Sequence, residues 1–285
     1  MAEDNAARAT DVARAYYDTD DIDAFYAHTW GGEDIHVGVY AGEVYADGQE
    51  GIAAASGRTV ARMAAAVSDG LGPGTSVLDL GSGFGGAARR LADRFGCRVV
   101  ALNISEVQNA RHRELNARRG LDDRIEVVSG SFQDIPAPDA SFEVVWSQEA
   151  LCHSGDRAGV LREAHRVLKP GGHLVFTDVM AAEDAPGDAL RSVAERLRLT
   201  DVATPAFYDA HLRSLGFADV GFDDLSDHIE THYHHLTEAV RTPAPGLVKS
   251  VSAPYIDHLR TSLPEMAAAC RNGYVRWGIF HGRRA

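Results

Sequence analysis

Val77-Leu78-Asp79-Leu80-Gly81-Ser82-Gly83-Phe84-Gly85-Gly86 decides the fold. Apolar residues around one acid read as a buried strand, and the glycines that follow at alternate positions read as a turn where backbone passes close to another group. Ala87-Ala88-Arg89-Arg90-Leu91-Ala92 then opens a helix. A strand, a glycine turn and a helix form the first half of a nucleotide-binding βα unit. The G-x-G-x-G spacing arises by chance and is weak alone; its place between strand and helix carries the reading. Asp79, two residues before Gly81, is expected to close the turn through backbone N–H groups, leaving the glycine loop free for a ligand.

Downstream, Arg98–Asn103, Ile125–Ser129, Phe142–Ser147 and His173–Asp178 read as further strands, with helices opening at Ser105-Glu106-Val107-Gln108, a capping box, and running from Arg157 to Leu168. Alternating strands and helices imply a parallel sheet covered on both faces, with ligands at the carboxyl ends of the strands. Those ends collect Asp79, Asn103, Ser131, Phe132, the run Gln148 to His153, and Asp178. Asn103 stands where nucleotide folds place an acid for the ribose hydroxyls, and its amide oxygen can still accept from them.

Ahead of this core, Asp11 to Ala27 reads as two short helices broken at Asp18-Thr19-Asp20-Asp21, and Ile52 to Val67 as a packing helix. The segment Trp30-Gly31-Gly32-Glu33-Asp34-Ile35-His36-Val37-Gly38-Val39-Tyr40 is aromatic and glycine-rich without amphipathic period, and suits a lid over a pocket. After the core, 186–200 and 205–215 read as helices of a cap, 226–270 as mostly helical, and 219–224 and 277–283 as the last strands. The chain thus divides into a lid and first packing helix (1–70), a ligand-binding core (71–180), and a cap with strands completing the same domain (181–285).

The 285 residues carry 28 Lys and Arg against 41 Asp and Glu, a formal net charge of −13. Such a surface repels phosphate backbones, which sets nucleic acid aside as a partner. No apolar run approaches the roughly 20 residues of a membrane span, and the start Met1-Ala2-Glu3-Asp4-Asn5 is acidic, so a cytoplasmic protein is expected. Cys97, Cys152 and Cys270 are far apart and form neither a disulfide framework nor a metal motif. His228, His232, His234 and His235 lack an acid or cysteine at ligand spacing, and no metal is expected.

The pattern D-x-G-x-G-x-G from Asp79 to Gly85 resembles the first motif of class I S-adenosylmethionine (SAM)-dependent methyltransferases. Through Tyr16-Tyr17-Asp18, the lid from Trp30 to Gly38, and Asn103-Ile104-Ser105, the chain is similar to sarcosine/dimethylglycine N-methyltransferases, which make glycine betaine. It also resembles phosphoethanolamine methyltransferases in Gly81 to Gly86, in Glu149 with His153, and in Arg276-Trp277-Gly278-Ile279-Phe280. The resemblance implies an α/β, Rossmann-like, seven-stranded class I methyltransferase sheet with an N-terminal helical lid and a helical cap before the last strands.

It further implies SAM, converted to S-adenosylhomocysteine, on Asp79, Gly81, Gly83, Asn103, Ile104, Ser131, Phe132 and Gln148, with Ile35 and His36 closing over it. Tyr17, with Tyr16 the neighbouring alternative, would pair with His153 to order the site, and Glu149 would join them as the catalytic group. A small amine carrying a carboxylate would contact Tyr26, Trp30, Arg198 and Tyr208, Arg198 holding the carboxylate and Tyr26, Trp30 and Tyr17 facing the cationic nitrogen. His153, with an ordinary pKa of about 6.5, is the expected proton acceptor. Val179 and Thr200 replace aromatic pocket residues of the phosphoethanolamine enzymes, which argues against a phosphocholine-type ligand. The alternative is a larger natural-product or lipid-type substrate in a cap lined by Leu197, Leu199, Phe207 and Leu212. A monomer or homodimer is expected.

Overall fold

The computed structural model describes residues 18–31, 33–40 and 48–285, together with Val12 and Arg14. Its centre is a seven-stranded sheet: β1 (Ser76–Leu80), β2 (Arg98–Asn103), β3 (Ile125–Ser129), β4 (Phe142–Gln148), β5 (Leu168–Ala181), β6 (Phe217–Asp224) and β7 (Val275–Arg284). The strand order is β3-β2-β1-β4-β5-β7-β6. The first five strands are parallel, and β7 runs antiparallel between β5 and β6. Sequence order reverses between β1 and β4, and ligands of such sheets bind beyond the carboxyl ends at that switch.

The strand pleat sends alternate residues to opposite faces. Leu78 and Leu80 join a core with Val160, Leu161, Tyr208 and Leu212, under the helices Arg157–Val167 and Pro205–Ser214. Val77 joins the other core, beneath Asp20–Thr29, Gly48–Ala66, Ser226–Arg241 and Ala253–Arg271. Asp79 therefore shares a face with the N-terminal segment. Local chemistry sets the helix starts: Ser105, Asp156, Thr204 and Ser252 each accept a backbone N–H with their side chains, and Pro205 sits in the first turn after Thr204. Among the described residues no helix is long and apolar enough to cross a membrane.

Two elements differ from the sequence reading. The helix expected over 186–200 is confined to Arg191–Leu197, because Arg198 takes the left-handed conformation at φ 55° and ends it. β5 begins earlier than expected: Leu168 pairs with Phe142 and His173 with Val144, so Lys169 to Gly172 bulge out of one continuous strand. The first of the two short helices expected in 11–27 falls largely outside the described residues; the second is Asp20–Thr29.

Candidate active site

The glycine turn after β1 admits no side chain where it meets its neighbours. A Cβ on Gly81 would lie 2.4 Å from the Cβ of Ala150, and one on Gly85 1.9 Å from Nε2 of His112; both glycines have positive φ. The turn is closed from β2 rather than by Asp79. The Leu102 carbonyl accepts the Gly81 N–H at 2.8 Å and the Ser82 N–H at 3.2 Å, so those donors are already used. Asp79 is buried, and its Oδ2 has no hydrogen-bond partner among the described residues. Burial raises its carboxyl to about 7; the charge of His36 opposes the rise and that of Asp34 adds to it.

Beyond the turn opens a cavity of about 630 Å³. Gly81 and Gly83 form its floor, and Asn103, Ile104, Ser131, Phe132 and Gln148 come to it from the ends of β2, β3 and β4, on either side of β1. Ile35 and His36 reach it from the lid segment, while Asp79 is not on its wall. Gln108 also lines it, a residue the sequence reading took for half of a capping box. Ser105 does accept the Gln108 N–H at 3.1 Å, but the Gln108 side chain accepts from Asn103 Nδ2 at 3.0 Å, which leaves Asn103 Oδ1 as acceptor. Gln148 accepts from Trp146 Nε1 at 3.1 Å, and its Nε2 is buried with no partner among the described residues.

Glu149 follows β4 at φ 43°, a strained position for a residue with a side chain, and its carboxylate is saturated. Oε1 accepts from Thr177 Oγ1 at 2.7 Å and Trp277 Nε1 at 2.8 Å; Oε2 meets His36 Nδ1 at 2.9 Å and the Val37 N–H at 3.3 Å. Burial alone would raise this carboxyl, but the hydrogen bond and charge of His36, with Thr177 and Trp277, hold it below the usual range. The His36 ring is likewise pulled down by burial, yet Glu149, Asp34 and Asp79 outweigh this and raise it to about 9. The Trp30 indole and Ser56 hydroxyl donate to the His36 carbonyl at 2.8 and 2.5 Å, so the lid is pinned from three sides. A carboxylate with every lone pair engaged is poorly placed to take a proton, and the geometry makes Glu149 the lid's anchor.

A second cavity of about 510 Å³ lies against the first, and Ile35, Glu149 and His153 line both. Its other walls bring together Tyr26, Trp30, Tyr233 and the buried Arg196. Tyr26 and Trp30 pack with ring centroids 5.0 Å apart. Burial, with the Arg157 charge adding, pushes the His153 ring down to about 4. Arg198 does not line this cavity: it is exposed at the left-handed helix end, and Arg196, two residues earlier, stands on the wall instead. Tyr208 is also elsewhere. Its hydroxyl donates to Asp178 within the core of the opposite sheet face, next to Phe176. Of the apolar cap set, Leu197 alone lines the cavity; Phe207 and Leu212 pack with Tyr208. Tyr17 lies outside the described residues. The histidine cluster braces the lid: Tyr40 Oη lies 2.8 Å from His232 Nδ1, and its N–H donates to His228 Nδ1. Among the described residues no three His, Cys, Asp or Glu side chains are grouped as a metal ion requires.

A sheet of this order, with a glycine turn after β1 and a lidded cavity over the switch point, is the architecture of class I SAM-dependent methyltransferases. Residues 78–176 match the family model of a methyltransferase domain. Over 277 residues the chain is 44% identical to sarcosine/dimethylglycine N-methyltransferase of Halorhodospira halochloris, covering 97% of each chain. It is 44% identical over 280 residues to glycine/sarcosine/dimethylglycine N-methyltransferase of Actinopolyspora halophila, covering 98% of this chain and 48% of that one. A crystal structure of a candidate sarcosine dimethylglycine methyltransferase from Galdieria sulphuraria superimposes with a TM-score of 0.86 at 34% identity, covering 95% of this chain and 99% of the other. The chain belongs to the sarcosine/dimethylglycine N-methyltransferase family.

Proposed function

We propose that this enzyme methylates sarcosine and N,N-dimethylglycine to glycine betaine, with SAM in the larger cavity and the amine in the smaller one. The observation that carries the reading is Arg196, a buried cation on the wall of an aromatic cavity that shares Ile35, Glu149 and His153 with the glycine-turn cavity. A substrate with a carboxylate at one end and N-methyl groups at the other matches that polarity.

The residues present fit SAM. The glycine floor admits close approach, Asn103 Oδ1 is placed to accept from ribose hydroxyls, and the buried Gln148 Nε2 on the cavity wall is a donor without a partner among the described residues. Ile35 and His36 line this cavity from the N-terminal segment, His36 being held by Glu149. When bound, SAM supplies an electrophilic methyl group on a sulfonium. Transfer needs an amine lone pair held in line with that methyl, so the protein's task is positioning and charge.

Arg196 offers the carboxylate a forked, charge-assisted partner. Tyr26, Trp30 and Tyr233 present rings to the methylated nitrogen, and each cation–π contact contributes on the order of 0.5–2 kcal/mol. His153 departs from the expected proton acceptor. With its ring pushed down to about 4 it is neutral at pH 7 and a weak base, suited to accept a hydrogen bond from the sarcosine N–H while the lone pair faces the methyl. The amine therefore sheds its proton before it is seated, and again between the two transfers. No step calls on a metal ion.

Product analysis by mass spectrometry tests the reading, with SAM and, separately, sarcosine, dimethylglycine and phosphoethanolamine. Betaine from the first two is expected. Binding of SAM without turnover of either would overturn the substrate assignment.

A further inference from the structure

Outside the amine cavity lies a larger hollow of about 1210 Å³, and the two share Arg196. Its walls come from Asp21 and Ile22 on one side, Ser252, Tyr255 and His258 on another, and Arg196 with Arg198 on the third. The helix that ends at the left-handed Arg198 sets these two arginines apart. Arg196 is buried between the cavities, whereas Arg198 is exposed to the outer one.

The charges facing the hollow favour an anion. Asp21 is held by Ser252, accepting its N–H at 2.6 Å and its hydroxyl at 2.5 Å, so this carboxylate is engaged in joining the two helices. His258 is pulled below its ordinary value by burial and by the nearby charges of Arg196 and Arg198, with Glu265 opposing them. Among the described residues that line the hollow, two guanidiniums face the single carboxylate of Asp21, in a chain of net charge −13. The form of sarcosine or dimethylglycine that can react has a neutral amine and an ionised carboxylate, and is itself an anion.

We propose that this hollow is the vestibule of the active site, where Arg198 receives the substrate carboxylate and hands it inward to Arg196. The proposal rests on the amine-carboxylate reading above. It gives Arg198 a part in capture while leaving the chemistry untouched, and it explains why a cation stands at each end of Leu197, which lines the inner cavity.

Steady-state kinetics with dimethylglycine and SAM test it, comparing wild type, R198K and R198E at low salt and at about 1 M NaCl, where exposed charges are screened beyond about 3 Å. At low salt R198E is expected to raise KM for dimethylglycine about tenfold, with kcat and KM for SAM retained, and R198K to stay near wild type. At high salt the gap should close. A wild-type KM in R198E at low salt, or equal loss of kcat and SAM affinity, would overturn the vestibule. A wild type that turns over neither amine overturns the substrate reading and the vestibule with it, a result distinct from an active wild type with an unaffected R198E.

Discussion

His36 Nδ1 lies 2.9 Å from Glu149 Oε2, joining residues 113 positions apart and tying the lid to the end of β4. Glu149 is in turn held by Thr177 and Trp277, on β5 and β7, so the lid is latched to the middle of the sheet. Glu149 lines both cavities and His36 the larger one. Displacing the latch therefore alters the walls of both cavities.

The latch makes stability fall at alkaline pH. The His36 ring titrates near 9 in the folded protein against about 6.5 when unfolded. A raised pKa contributes stability that is full below the unfolded value and is lost as pH rises through the folded one. Between pH 7 and 9.5 the loss is on the order of 2 kcal/mol. Urea midpoints at the two pH values measure it, and H36N should flatten the difference. Glu149, lowered when folded, contributes above its unfolded value and loses that contribution only as pH falls below it, so it leaves the alkaline change unmasked.

The pH profile of kcat/KM should carry no bend from His153 between pH 6 and 8, because its ring titrates near 4. The rate is expected to rise with pH as the amine loses its proton, and H153N should keep the shape of the curve at a lower level. A bend near pH 6.5 in the wild type, absent from H153N, would restore His153 as the general base.

Tyr208→Phe separates structure from substrate contact. The hydroxyl donates to the buried Asp178, whose Oδ1 also accepts the Cys152 N–H at 3.1 Å, so its loss leaves a buried acceptor short of a partner. The cost is about 1–3 kcal/mol of stability. KM for dimethylglycine should not move, since the ring lies on the opposite sheet face from the amine cavity.

Much of this arrangement is legible in residue order. Val77 to Gly86 reports a strand and a glycine turn because burial and positive φ constrain residue types locally, and the unpatterned aromatic run from Trp30 to Tyr40 does become the segment over the cavity. What escapes depends on geometry that spacing does not encode. Arg196 and Arg198 lie on one helical stretch, and only the point where that helix ends decides which is buried. Glu149 reads as a catalytic group until its four donors, three of them more than 100 residues away, are seen to engage its carboxylate. Gln108 is hidden behind its place in a capping pattern, though its side chain serves Asn103. Asp79 looks like the closure of the turn because the competing acceptor, the Leu102 carbonyl, comes from a different strand.

The affinity of R196Q for dimethylglycine, measured as KM alongside the dissociation constant for SAM, tests the two-cavity account most directly. Removing a buried charge partner costs about 2–5 kcal/mol, so KM should rise about 30-fold or more while SAM binding stays at the wild-type value. An unchanged KM would contradict the assignment of the smaller cavity to an amine carboxylate.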